Sequence, residues 1–169
     1  MRKSYHKLTR ITIKGFKSIS YDRPIDLEIG DINILLGAHG AGKSNIISFF
    51  KMVGYMMTGS LQQFIAKSGT NQKFLYYGAK KTPTLSAEIR FDGNNSYDIY
   101  RFYLTNAVPN RLIVSSEEIE WEGTNDESSR KIQLKSDCNE SALINHKGKA
   151  SNIVWRSRSE ERFSRNAET

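Results

Sequence analysis

Residues 37–44 read Gly37-Ala38-His39-Gly40-Ala41-Gly42-Lys43-Ser44, an unbroken match to the phosphate-binding pattern G-x-x-x-x-G-K-[S/T]. Each residue type answers a physical demand. Glycines admit backbone conformations closed to other residues and let amide N–H groups come within hydrogen-bond distance of phosphate oxygens. A helix beginning at Lys43 points the positive end of its dipole at the same anion. Lys43 then reaches the β- and γ-phosphates, and the Ser44 hydroxyl ligates Mg²⁺. Asn45 follows, either bonding the loop backbone or sitting as an ordinary first-turn residue. The chemistry is that of a nucleoside-triphosphate site.

Such a loop works only between a strand and a helix. Ile32-Asn33-Ile34-Leu35-Leu36 is a near-continuous apolar run and predicts a strand buried on both faces of a sheet. From Ser44 the period changes. Ile46, Ile47, Phe49, Phe50, Val53, Tyr55, Met56 and Met57 predict a helix apolar around much of its circumference, ending near Thr58-Gly59. Ser60 is placed to cap a second, shorter helix that Gly69 stops. Upstream, residues 8–16 alternate apolar and polar as a half-buried strand does, and Ile25, Leu27 and Ile29 repeat the alternation. Downstream, residues 84–104 read as a β-hairpin turning at Gly93-Asn94-Asn95. Leu112-Ile113-Val114, Ile119-Glu120-Trp121 and Ile132-Gln133-Leu134 extend the strand pattern.

The whole chain is 169 residues with 38% hydrophobic residues, one domain's worth with enough apolar side chain to bury a core. No apolar run approaches the roughly 20 residues that cross a bilayer, and no signal-peptide core follows the N-terminus. One cysteine, Cys138, excludes an internal disulfide and a cysteine zinc cage. These features set the expected compartment as cytoplasmic. The net charge of +7 is unevenly spread: six basic side chains and no acid in residues 1–17, six acids and no base in residues 112–129. A basic patch of this kind attracts nucleic acid, although a solvated face explains most such runs.

A first strand ending in Gly15-Phe16-Lys17-Ser18, followed by the loop and Asn45, resembles the N-terminal half of an ABC-type ATPase head of the SMC/RecF/OLD group. The likeness covers about residues 8–105 and looks closest to bacterial AAA family ATPases of that group, some of which accompany phage-defence nucleases and toxins. It implies an α/β fold with a P-loop core and an attached antiparallel β subdomain. Residues 1–155 form the partial head, with strands, loop and helix in 8–58, the β subdomain in 84–135 and a polar, frayed tail in 156–169. His39 stands where the family has Asn. In the group, the position of Lys17 lies near the nucleotide; a surface lysine is the plainer reading.

Other family parts have no match. Hydrolysis in the group needs an apolar strand ending in Asp-Glu, and both Leu27-Glu28-Ile29-Gly30-Asp31 and Glu88-Ile89-Arg90-Phe91-Asp92 are interrupted. Lys67-Ser68-Gly69-Thr70-Asn71-Gln72 falls too soon after the loop to be the signature segment. Gln62, Gln63, Gln72 and Gln133 have no context that selects a lid glutamine, and His146 none that makes it a switch histidine. The chain therefore reads as the first half of a head, an ATP- and Mg²⁺-binding module. Its turnover would use a second ATPase half, or a homodimer closing across the nucleotide. DNA or RNA and a nuclease or toxin are the further partners that the resemblance implies. Two other readings stand beside it: a non-hydrolysing nucleotide-sensing module, and a basic nucleic-acid-binding fragment with a vestigial loop. Tyr97, Tyr100, Phe102 and Tyr103 are either a base-stacking platform or cross-strand core pairs.

Overall fold

A computed structural model describes residues 6–93, 96–122 and 129–145. Six antiparallel strands make one sheet: β1 (Lys7–Lys14), β2 (Ile25–Glu28), β3 (Thr84–Gly93), β4 (Ser96–Ala107), β5 (Arg111–Glu122) and β6 (Arg130–Gln133). Their order is β2-β1-β3-β4-β5-β6. The alternation seen in the sequence becomes one buried and one solvated face. Ile11 pairs with Leu27 on one side and Ile89 on the other, and Leu85, Ala87 and Ile89 of β3 lie opposite Leu104, Phe102 and Tyr100 of β4. The opposite face carries a charge cluster, in which Arg101 reaches Glu88, Glu118 and Glu120.

Residues 112–122 form part of one twelve-residue strand, and a register shift within the β4–β5 pairing explains its burial. Leu104 pairs with Val114 whereas Tyr103 pairs with Ser116, so Ser115 is the extra residue of a bulge. The bulge switches the side-chain parity. Leu112 and Val114 are buried before it; Glu117 and Ile119 are buried after it. A carboxylate thus enters the core, where it must be satisfied. The Glu117 carboxylate accepts hydrogen bonds from Tyr100 Oη and Ser141 Oγ, and from the Ala142 amide at 2.8 Å. Burial, then the charge of Glu117, pushes the Tyr100 hydroxyl well above its ordinary pKa, so it stays protonated as a donor.

Helix α1 (Lys43–Met57) lies on the inner face. Its buried residues Ile46, Phe49, Met52, Val53, Met56 and Met57 recur at helical spacing, and the Phe49 ring meets Phe16 at 5.8 Å and Phe102 at 6.3 Å. Helix α2 (Leu61–Lys67) follows Gly59, whose φ is +66. The expected Ser60 cap is corrected: its side chain makes no capping bond. Glu140 does that work from 79 residues away, accepting from the Leu61 amide at 2.7 Å and the Gln62 amide at 3.0 Å. A carboxylate both satisfies those amides and complements the helix dipole, which a neutral hydroxyl does less well. Gln62 donates to the Leu112 and Asn139 carbonyls, a structural tie.

A second expectation fails more instructively. Ile32–Leu36 is not a strand and pairs with nothing among the described residues. Ile32 is 84% exposed, Ile34 76% and Leu36 89%. The run has the composition of a central strand, but a strand forms only where neighbours complete its hydrogen bonds and cover its faces. The described residues supply no parallel strand to do so. The expected tail over 156–169, like His146, lies outside the described residues.

Candidate functional site

The Gly37–Ser44 loop leads straight into α1. Gly42 is the residue before the helix, with φ +91, and Gly40 has φ +83. Both conformations are costly for any residue with a Cβ. Gly42 is constrained twice over, since a Cβ there would lie 3.2 Å from Ser18 Oγ. The loop turns through Ala41 N–H to the Ala38 carbonyl at 3.2 Å. Lys43 folds back over it, donating from Nζ to the Gly37 carbonyl at 2.5 Å and the Ala38 carbonyl at 2.8 Å. The ammonium group therefore sits over the mouth of the loop, where a phosphate would exchange those carbonyl bonds for stronger charge-assisted ones.

Ser44 is the second helical residue and is exposed, and no acidic residue occupies the first turn of α1. An acid there would compete with an anion for the helix's positive end. His39 and Ala41 are exposed, so the non-glycine loop positions carry side chains outward at no packing cost. This donor set fits a polyphosphate: helix amides, two left-handed glycines, a lysine and an exposed hydroxyl.

Asn45 resolves its two readings in a third way. Its Nδ2 donates to Ser18 Oγ at 2.6 Å, fastening the turn after β1 to the start of α1. That turn is held elsewhere by Lys17 N–H to the Phe74 carbonyl at 2.9 Å and Ile19 N–H to the Phe16 carbonyl at 2.8 Å. Lys17 has φ +51, left-handed for a residue with a side chain. Its Nζ donates to Ser48 Oγ at 2.6 Å, one helical turn beyond Ser44, and lies 5.7 Å and 5.8 Å from the Phe16 and Phe74 ring centres. Burial lowers the Lys17 pKa below its ordinary value. Lys17, Ser44, Ser48, Lys51 and Lys73 line one cavity of about 300 Å³.

Lys17 is thus no plain surface lysine; it lines a cavity shared with Ser44. Ser18 and Ser48 were not singled out as site residues, and only the Phe-Lys-Ser turn hinted at the first. The aromatic strand residues divide by face. Tyr100 and Phe102 are core, and Tyr97 donates to Glu120 beside the Arg90 guanidinium, 4.7 Å from its ring. Tyr103 is 39% exposed but stands alone as a surface ring of that group. Cys138 donates to the Ser136 carbonyl and pairs as an isolated bridge with Val114.

Among the described residues no helix is long and apolar enough to cross a membrane. Comparison with protein families matches residues 10–167 to an AAA domain model. A comparison with curated proteins finds no match.

Proposed function

The chain belongs to the AAA domain family, a family of nucleotide-binding ATPases, and from that premise we propose that it is the Mg²⁺-dependent ATP-binding module of an SMC/RecF/OLD-like ATPase. The observation that carries the reading is the pre-shaped cradle at the start of α1: Gly40 and Gly42 in left-handed conformations, Lys43 folded over the loop mouth and Ser44 exposed beside it. In this reading the loop amides and Lys43 hold the phosphates, and Ser44 would ligate Mg²⁺. The cation supplies charge neutralisation between β- and γ-oxygens when bound. Lys17 reaches the same region from the turn after β1.

Hydrolysis is a further matter. No apolar strand ending in Asp-Glu occurs in the sequence, so the water-activating carboxylate and the signature loop come from a second ATPase half or from a partner chain. The exposed Ile32–Leu36 run supports this, because it has the character of a strand awaiting neighbours. The partners proposed are therefore another ATPase half, or a second copy closing across the nucleotide, with nucleic acid or a nuclease or toxin downstream.

A phosphate-release assay tests the division of labour. The chain alone, saturated with Mg·ATP, is expected to bind without multiple turnover, and release is expected only on adding the complementary half. Steady turnover by the chain alone would contradict the proposal. Binding that no added chain converts into turnover would favour a nucleotide sensor.

A further inference from the structure

Where β3 turns into β4, a serine, a histidine and a carboxylate come together in that order. We propose that Ser96 is an acyl-transfer nucleophile, with His6 as its general base and Asp98 positioning the ring, so that the chain carries a second site, one that cleaves carboxylic esters. Ser96 Oγ and His6 Nε2 are 2.9 Å apart. On the ring's other side, Nδ1 lies 2.7 Å from Asp98 Oδ2, and both of those atoms are cut off from solvent. A nucleophile within reach of a base that a third group orients is the arrangement by which acyl transfer recurs on unrelated folds.

The sheet explains how the three meet. Ser96 and Asp98 are two residues apart in β4, so both project from the same face. Asp98 is buried, in register between Phe91 of β3 and Trp121 of β5. His6 immediately precedes β1, and its ring lies against Gly93, the partner of Ser96 across the hairpin. A Cβ on Gly93 would fall 2.4 Å from His6 Cδ2 and 2.8 Å from Nε2, so a side chain there would displace the imidazole. Burial is graded as the chemistry needs: the His6 and Asp98 side chains are each 9% exposed, while Ser96 is only half-buried. About 24 Å of β1, at roughly 3.4 Å per residue, separates this cluster from the turn that fastens Ser18 to Asn45. It is not part of the phosphate loop.

The Asp98 carboxylate draws the ring proton to Nδ1 and leaves Nε2 to accept from the Ser96 hydroxyl. Ser96 Oγ then bonds to the ester's carbonyl carbon as its proton passes to Nε2. The bond to the leaving alkoxide breaks, and that oxygen takes the proton and departs as an alcohol. Water adds to the acyl-serine in the same way, giving a carboxylic acid and restoring the Ser96 hydroxyl. Asp98 pairs with the imidazolium formed in each half.

A fluorophosphonate probe and p-nitrophenyl acetate, used with the 169-residue chain, test this. Peptide mass mapping is expected to find the probe on Ser96, reacting at least about 100-fold faster in the folded chain than in urea, the scale of general-base assistance. Ser96→Ala should abolish the burst of p-nitrophenol. His6→Ala should slow it by about 100-fold or more, and added imidazole should restore part of it, a rescue that a merely structural histidine would not show. Asp98→Asn should lower kcat by a similar factor and leave KM within about twofold. Gly93→Ala, which removes no reacting group, should slow the burst as well. Thermal unfolding shows which variants are folded, and the probe needs none of them. Ser96 labelled no faster in the folded chain than in urea, or an undiminished burst in a folded His6→Ala chain, would overturn the proposal.

Discussion

The antiparallel sheet with α1 and the stretch over residues 31–41 are built on opposite terms. In the sheet, Ile11, Leu85, Tyr100, Phe102 and Leu112 are fully buried, and α1 closes over them with Phe49 and Met52. Every residue from 31 to 41 is exposed, including four large apolar side chains. The first region supplies its own neighbours and the second does not. The Gly37–Ser44 loop therefore runs between a packed element and an unpaired one, fixed through α1 and the Asn45–Ser18 bond. The lesson is that a site's geometry and its support can come from different places: here the helix positions the loop, and the apolar approach to it still lacks cover.

Substitutions sharpen the contrast, beginning with the largest expected effect. Phe49→Ala, at a site with no exposure and rings on both sides, should destabilise by about 3–5 kcal/mol in denaturant unfolding. Glu117→Leu leaves the Tyr100 and Ser141 hydroxyls and the Ala142 amide without an acceptor, so a loss of about 2–3 kcal/mol is expected. Release of residues 134–145, read by hydrogen exchange, should accompany it.

Arg101→Met should cost about 1 kcal/mol near neutral pH and change the acid limb of stability. The Arg101 hydrogen bond holds Glu120 below its ordinary 4.5, against burial. A depressed carboxyl contributes stability that is present above 4.5 and lost as pH falls through the folded value. Acid titration of unfolding should therefore show a shallower loss in Arg101→Met than in the unmodified chain. The smallest effect belongs to the other region: Leu36→Ser, 89% exposed, should move stability by no more than about 0.5 kcal/mol. A loss of several kcal/mol there would mean that Ile32–Leu36 is packed after all, and the comparison would collapse.

Chemistry was more legible than support. The pattern proposed to hold phosphate stands out because it falls on eight consecutive residues, and α1 could be read because its buried side chains keep a helical period. The 84–104 hairpin followed from alternation. Three features escaped for different physical reasons. Ile32–Leu36 announces what a strand requires but not whether neighbours exist. Glu117 is buried only because the Ser115 bulge flips parity, which alternation alone cannot reveal. The α2 cap is Glu140, whose role depends on a contact 79 residues distant in sequence, while adjacent Ser60 looked sufficient. Lys17 lay between these cases: its motif was visible, but its contact with Ser48 required the fold.

The central claim is that the loop at the start of α1 is a working phosphate cradle whose cation is Lys43. Equilibrium titration of Mg·ATP into the unmodified chain and into Lys43→Ala, with thermal unfolding of both, tests it most directly. The account predicts saturable binding that Lys43→Ala weakens by about 100-fold or more, the loss of a charge-assisted contact of about 3 kcal/mol, with unfolding temperatures nearly unchanged. Equal binding by the two chains, or no binding by an unmodified chain that unfolds cooperatively, would contradict it.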